Sequence, residues 1–445
     1  MILDLLPNII FILLLITAGG FFARNVGRIK RNIYLGKSID RTDRSKERWQ
    51  NMARIALGQS KMVKRPIAGI LHIVVYAGFI LINIELLEIV IDGIVGTHRI
   101  FAPFLGGFYN FLIASFEICA VLVLIAVIIF WCRRNLLRIQ RFWKKEMKGW
   151  PKLDADLILY FEVVLMGLFL TMNGADFAIQ TYHPETPHYV QAGSFPVSQF
   201  ISPLFESIDL SSIIIIERTA WWMHIIGIFF FLNYLYYSKH LHILLAFPNT
   251  FFADLRPKGQ FNNNANVTSE VQLMMDPSAD PYAATEDSAE VEKFGASDVM
   301  DLNQVQLLNA YTCTECGRCT SECPSNQTGK KLSPRKIMMD TRDRLTEVGD
   351  NIEKNKGKFV DDGKQLLGDY ITHEELWACT SCNACVEACP VDIDPLSIIM
   401  EMRQYLVMEE SAAPSDLNNM MSNIENNGAP WPFNQQDRAN WVKEL

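Results

Sequence analysis

Two cysteine runs near the C-terminal end have the types and spacing to do chemistry. They read Cys313-Thr-Glu-Cys316-Gly-Arg-Cys319-Thr-Ser-Glu-Cys323-Pro324 and Cys379-Thr-Ser-Cys382-Asn-Ala-Cys385-Val-Glu-Ala-Cys389-Pro390. Both follow C-x2-C-x2-C-x3-C-P, the bacterial pattern for paired [4Fe-4S] clusters, in which the fourth thiolate of each run ligates the cluster of the other. The spacing therefore assigns Cys313, Cys316, Cys319 and Cys389 to one cluster, and Cys379, Cys382, Cys385 and Cys323 to the second. Zinc ribbons call for two C-x2-C pairs rather than two sets of four ending in Cys-Pro. Disulfides call for an oxidising compartment, against which the membrane orientation argues. The remaining two cysteines, Cys119 and Cys132, lie in or beside apolar helix and receive no function.

Histidines form the second set. His72, His224, His240 and His242 fall within long apolar runs, where a buried imidazole is costly and usually functional. On one continuous helix, His224 and His242 are a whole five turns apart and share a face, roughly 27 Å apart along the axis, while His240 lies about 160° off it. His72 and His242 sit at similar depth and make the best bis-His pair for one haem b. His224 offers a ligand for a second haem whose partner stays open, because position 82 is Ile82 and the nearest histidine is His98 in a loop. Glu85, Glu88, Glu117, Glu162 and Asp176 are intramembrane carboxylates, either inter-helix partners or a proton path to a quinone pocket, with Glu117 the stronger functional candidate. Asn173 and Asp176 are candidates to hydrogen-bond a quinone carbonyl.

The elements that position these residues follow from hydropathy. Of 445 residues, 49% are hydrophobic and 20% charged, with the apolar ones concentrated in the first 250 positions. Apolar runs at Leu5–Phe22, Pro66–Ile91, Tyr109–Trp131, Leu157–Ile179 and Ala220–Leu245 predict five transmembrane helices. The first lacks the basic n-region and cleavage site of a signal peptide. Thirteen Lys/Arg against three acids lie between Arg24 and Arg65, and eight more basic residues between Arg133 and Lys152, whereas Thr181–Glu217 holds none. The positive-inside rule then places the N-terminus outside and the cluster region in the cytoplasm, where thiols stay reduced. The basic stretch between two spans reads as a membrane-flanking loop and not as a nucleic-acid surface. The expected architecture is an all-α membrane bundle (residues 1–250), a polar and acidic linker (251–301), a small α-helical ferredoxin-type domain with two [4Fe-4S] clusters (302–407), and an irregular C-terminal tail suited to partner contact (408–445).

Ile70-Leu71-His72-Ile73, Met223-His224 and Lys239-x-x-His242 resemble the haem b membrane subunit of nitrate reductase, in which four histidines bind two haems. This chain matches three of those positions and departs at the second histidine of helix two. The Cys313–Pro390 region, with Ser333-Pro334-Arg335-Lys336 after its first motif, is similar to the small iron-sulfur subunit of heterodisulfide reductase. Proteins that fuse the two modules, among them electron-transfer-flavoprotein:menaquinone oxidoreductases, carry a further domain with duplicated Cys-Cys-Gly motifs. No Cys-Cys pair occurs in this sequence, although Asn423–Trp441 resembles the segment that leads into that domain. The resemblance implies a separate Cys-Cys-Gly partner subunit, fed by a source such as electron-transfer flavoprotein.

These readings converge on a multi-pass subunit of a quinone-linked oxidoreductase complex in the bacterial cytoplasmic (inner) membrane. It would pass electrons between a soluble partner and menaquinone or another quinone, through the clusters and haem b. No G-x-G-x-x-G nucleotide fingerprint is present, so substrate chemistry falls to a partner. Two other readings stay open. One is the anchor of a substrate-specific dehydrogenase or disulfide reductase; the other is a membrane assembly protein whose clusters are structural.

Overall fold

A computed structural model describes residues 2–189, 191–261, 263–276, 278 and 293–443. Most of the acidic stretch expected between 276 and 292 lies outside the described residues. The described residues are helical and contain no strand, only isolated bridges such as Lys37 with Asn303.

Five helices are long and apolar enough to cross a membrane. They are α1 (Ile2–Ile33), then, after the short α2 (Ser45–Met52), α3 (Pro66–Val95), α4 (Gly107–Trp131), α5 (Trp150–Tyr182) and α6 (Leu210–Tyr234). α3 starts with Pro66 in its first turn, where a missing N–H costs nothing, and stops at Gly96 in the left-handed region with φ 83°. α3 packs on α4, α4 on α5 and α5 on α6, while α1 touches both α3 and α6 and closes the bundle. Phe11 of α1, fully buried, meets Trp221 of α6 with ring centroids 5.6 Å apart at the centre of that closure.

The fifth span lies earlier in the chain than hydropathy indicates, starting at Leu210 rather than Ala220. α6 ends at Tyr234, and a 3-10 turn leads to Ser238 in an extended conformation (φ −112°, ψ 146°). The chain then restarts as α7 (His242–Phe251). Asp154 of α5 fixes the break by accepting from Tyr234 Oη at 2.6 Å and from the Lys239 amide at 3.1 Å. His224 and His242 therefore do not share one continuous helix face, and the phase relation expected between them is lost.

The C-terminal domain is built from α8 (Gln304–Thr312), α9 (Arg318–Glu322), α10 (Pro334–Lys354), α11 (Ala384–Ala388) and α12 (Pro395–Met408). Its core includes fully buried Leu307, Ile337, Leu345, Val348, Ile398 and Met402. Ala296 and Val299, N-terminal to the expected boundary at 302, belong to the same core, as does Ala246 from α7. The domain sits on one end of the bundle. There Arg28 of α1 pairs with Glu353, and the Asn32 amide donates to Tyr311 Oη at 2.9 Å. α10 passes so close that a Cβ on Gly349 would lie 2.3 Å from Asn32 Oδ1. Gly349→Ala should cost about 1–3 kcal/mol through overpacking. It should loosen this end of α1, read as faster proteolysis near Arg28–Arg31 and a lower melting temperature.

Candidate functional site: two thiol sets and a histidine pair

The two cysteine loops are built alike. In each, a short helix ends just before the first cysteine, and a five-residue helix, α9 or α11, carries the third. The third and fifth positions of both loops adopt left-handed backbone: Glu315 (φ 54°) and Gly317 (φ 70°) in one, Ser381 (φ 56°) and Asn383 (φ 60°) in the other. Such residues turn successive amides inward, making a nest for negative charge. The Ser381 amide donates to Cys379 Sγ at 3.4 Å and the Ile393 amide to Cys389 Sγ at 3.3 Å. At Gly317 a Cβ would lie 2.4 Å from the Arg335 guanidinium, so the first loop needs glycine there for space as well as for φ.

α9 and α11 pack on each other and bring the ends of the motifs across. Burial pushes the Cys389 thiol up to about 12, helped by the neighbouring charges of Cys316 and Cys313, both from the other motif. Burial likewise raises Cys319, with Cys313, Cys316 and Cys389 as its first neighbours and Cys385 beyond them, where the two sets approach. Cys385 has Cys379 and Cys323 as neighbours, and Cys379 has Cys323 and Cys382. Cys389 thus lies near thiols of the first motif, and Cys323 near thiols of the second. Burial also pushes Cys313 up to about 11. Thiolates in such a pocket are costly alone, and metal binding supplies the positive charge that deprotonates them. Among the described residues no three His, Cys, Asp or Glu side chains converge at the spacing of a single ion. A four-iron cube places its thiolates at separate corners, farther apart than the ligands of a single ion.

The two sets face differently. The Arg318 guanidinium donates to the carbonyls of Lys61 and Met62, at 3.1 and 3.2 Å, just before α3. Fully buried Arg335 donates to Arg141 O at 2.7 Å and pairs with Glu146 at 2.6 Å in the loop between α4 and α5. Glu315 pairs with Lys239, in the turn before α7, and with Arg342 at 2.8 Å. The first motif is thus bolted to the membrane bundle by buried charges; the second also meets the loop before α3, through Lys61–Asp392 and Lys64–Glu387, but its Cys382 is exposed. Sequence reasoning does not assign a role to these cations, because their partners lie in distant loops. Arg318 lies close enough to act electrostatically on Cys316 and also on His72. A cation here favours the reduced, more negative cluster, so Arg318→Gln should lower the potential of the membrane-side cluster by something on the order of tens of millivolts, measured by redox titration.

His72 of α3 and His242 at the start of α7 meet at this end of the bundle, with ring centroids 6.3 Å apart and planes at 46°. His242 Nδ1 lies 3.1 Å from Lys239 O, leaving Nε2 free, and His72 Nδ1 is buried without a partner. His240 stands beside them, 5.5 Å from His242 and 5.4 Å from Phe231 between centroids. His224 is buried in α6, its Nδ1 3.0 Å from Leu165 O, next to Phe169. His98 is not its partner. It lies at the opposite end of the bundle against His188, Tyr189 and Asp176. Asp176 and Asn173 are also occupied, both by Arg99, at 2.6 and 3.2 Å. Arg99 engages the Asn173 side-chain oxygen, while the Asn173 amide nitrogen makes one long contact, 3.4 Å, to Glu117 Oε1.

Residues 312–393, which enclose both loops, match the family described as a 4Fe-4S dicluster domain. The chain carries a 4Fe-4S dicluster domain. Over 441 residues it is 30% identical to a probable iron-sulfur-binding oxidoreductase, FadF, of Bacillus subtilis, an alignment covering 93% of this chain and 57% of that protein. It is 25% identical over 459 residues to the EtfAB:quinone oxidoreductase of Syntrophomonas wolfei, covering 98% and 59% respectively. One component of the ferredoxin/F(420)H(2)-dependent CoB-CoM heterodisulfide reductase of Methanosarcina acetivorans is 32% identical over 120 residues, covering 27% of this chain and 60% of that one. The homologues of the dicluster chain are iron-sulfur oxidoreductases, and it spans somewhat under two thirds of the length of the first two. No solved structure matches it.

Proposed function

We propose that this chain is the membrane electron-transfer subunit of a quinone-linked oxidoreductase. Electrons would pass between a soluble partner and membrane quinone by way of the Cys382-side cluster, the Cys316-side cluster and a haem b held by His72 and His242. The observation that carries this is the histidine pair at the bundle end where the first cysteine motif docks. Two imidazoles that held one metal between them would stand with centroids roughly 6 Å apart, and the pair stands at 6.3 Å. Haem b bound there would supply one-electron redox chemistry between the clusters and quinone. The residues contribute placement: the Lys239 carbonyl orients His242 by accepting from Nδ1, as outer partners do for metal-bound imidazoles. His224, oriented in the same way by Leu165 O, is the ligand available to a second haem, without a second histidine beside it.

The exposed Cys382 face is the side for the soluble partner. The tail adds to it: α13 (Ser415–Asn427) buries no residue, and Met421, Ile424, Trp431, Phe433 and Trp441 are all exposed apolar groups. Such a patch suits a protein partner, and a Cys-Cys-Gly iron-sulfur subunit is the partner that the family resemblance implies. The name of the Syntrophomonas relative favours electron-transfer flavoprotein as the donor. The basic loops lie at the end that holds the cluster domain, which favours a cytoplasmic cluster domain and an outward N-terminus in a bacterial inner membrane.

The test is anaerobic addition of a menaquinol analogue to the purified full-length protein. Reduction of a haem b alpha band together with the cluster electron paramagnetic resonance (EPR) signals is the expected result. Cofactors that stay oxidised under quinol, yet respond to dithionite, would exclude the quinone link and favour a substrate-specific complex. Cofactors that respond to neither would leave structural clusters.

A further inference from the structure

At the end of the bundle away from the clusters, four buried carboxylates cluster near one guanidinium, which forms its ion pair with Asp176. Glu85 and Glu88 lie three residues apart on one face of α3, Glu117 comes from α4 and Asp176 from α5. All four are buried, at 3% exposure or less. Their cation is Arg99, itself only 9% exposed, in the loop joining α3 to α4.

Three of the four are accounted for. Asp176 takes the ion pair with Arg99 and a bond from Gln180 Nε2 at 3.1 Å. Glu88 accepts from the Phe101 amide and from Tyr109 Oη, each at 2.8 Å. Glu117 accepts from the amides of Val197 and Ser198, at 2.9 and 3.1 Å, and faces the Asn173 amide at 3.4 Å. Glu85 differs. Its Oε2 is buried without a hydrogen-bond partner, and among the described residues no cation pairs with it. The charges it meets are Arg99, already engaged by Asp176, and the carboxylates of Glu88, Glu117 and Asp176. An ionised carboxylate in that position would be desolvated, unpaired and surrounded by like charge, each of which is costly in an apolar interior.

We propose that Glu85 is a proton-binding site within the membrane, holding a proton at neutral pH and exchanging it with the surface opposite the cluster domain. Toward that surface, beyond Asp176, His98 Nε2 lies 3.7 Å from the Asp176 carboxylate, and the exposed His188 lies 5.5 Å from His98 between centroids, with ring planes at 50°. The proposal extends the electron-transfer reading, on which only its redox timing depends: a two-electron reduction of a quinone takes up two protons, and oxidation of the quinol releases them.

Dicyclohexylcarbodiimide tests the proton directly. It reacts with a protonated carboxyl: the acid O–H adds across one C=N bond, the proton passes to the reagent nitrogen, and rearrangement leaves a stable N-acylurea with no change of oxidation state. Treating the full-length protein in detergent near neutral pH should label the peptide bearing Glu85 and spare Glu88 and Glu117, with the label absent from Glu85→Gln. A Glu85 that stays unlabelled in the folded protein, but labels after unfolding in mildly acidic detergent, would overturn the proposal. This readout needs neither haem nor quinone, so it can fail or succeed independently of the electron route. Exchange is tested by redox-induced infrared difference spectra. A protonated-carboxyl band that shifts on cofactor reduction and vanishes in Glu85→Gln supports exchange. A labelled Glu85 with no redox-sensitive band would overturn the exchange and leave a fixed proton.

Discussion

Cys389→Ala is expected to remove the cluster of the first motif, although Cys389 closes the second. Iron content should fall from about eight to about four atoms per chain, and one of two overlapping EPR signals should disappear. Cys313→Ala should remove the same signal, and the double substitution should remove nothing more. Cys323→Ala should remove the other. The physical basis is the packing of α9 on α11, which carries each terminal cysteine across to the other loop and sets Cys389 beside Cys316 and Cys313. Loss of different signals in Cys389→Ala and Cys313→Ala would refute the crossing. Because Arg318 acts on Cys316, the signal that survives Cys389→Ala should also be the one whose potential Arg318→Gln leaves nearly unchanged. That second measurement keeps the assignment testable even if one cluster's loss loosens the domain.

Much of this site is legible in the sequence, because its determinants are local. A C-x2-C-x2-C-x3-C-P run specifies its own loop, and an apolar run of twenty or more residues specifies its own helix. What fails to show depends on contacts between distant segments. The fifth span breaks at Ser238 because Asp154, eighty residues earlier than Tyr234, accepts from Tyr234 Oη, and hydropathy carries no trace of that bond. The buried cations around the first motif are invisible as a group, since Arg318, Arg335 and Lys239 acquire meaning only when the domain docks on the loops of the bundle. Asp176 and Asn173 look available in the sequence because Arg99 reads there as an ordinary loop residue. The fold turns it inward to hold both.

The histidine pair is reached from the sequence through a premise that fails. An unbroken fifth helix would carry His242 to the depth of His72. The two rings do meet, but through the turn at Lys239–Leu241 and not through five turns of α-helix. The turn has consequences for function. It frees the Lys239 carbonyl to hold His242 Nδ1, and the same lysine's ammonium pairs with Glu315 of the first cysteine loop. Three residues thus connect the proposed haem ligand to the nearer cluster. His72→Ala and His242→Ala are each expected to reduce bound haem b to less than roughly a tenth of wild type, with both clusters retained, since each substitution would remove one of the two imidazoles proposed to hold it. His224→Ala should leave that haem in place, because His224, in the middle of α6, bonds Leu165 of α5 and packs on Phe169, away from both rings. An alpha band that survives both His72→Ala and His242→Ala would eliminate the pair and shift the ligation to His224 and His240. Lys239→Met is the sharper variant. It keeps the carbonyl on His242 but removes the ammonium paired with Glu315, so it should leave haem content unchanged while slowing electron exchange between cluster and haem, resolved by flash reduction.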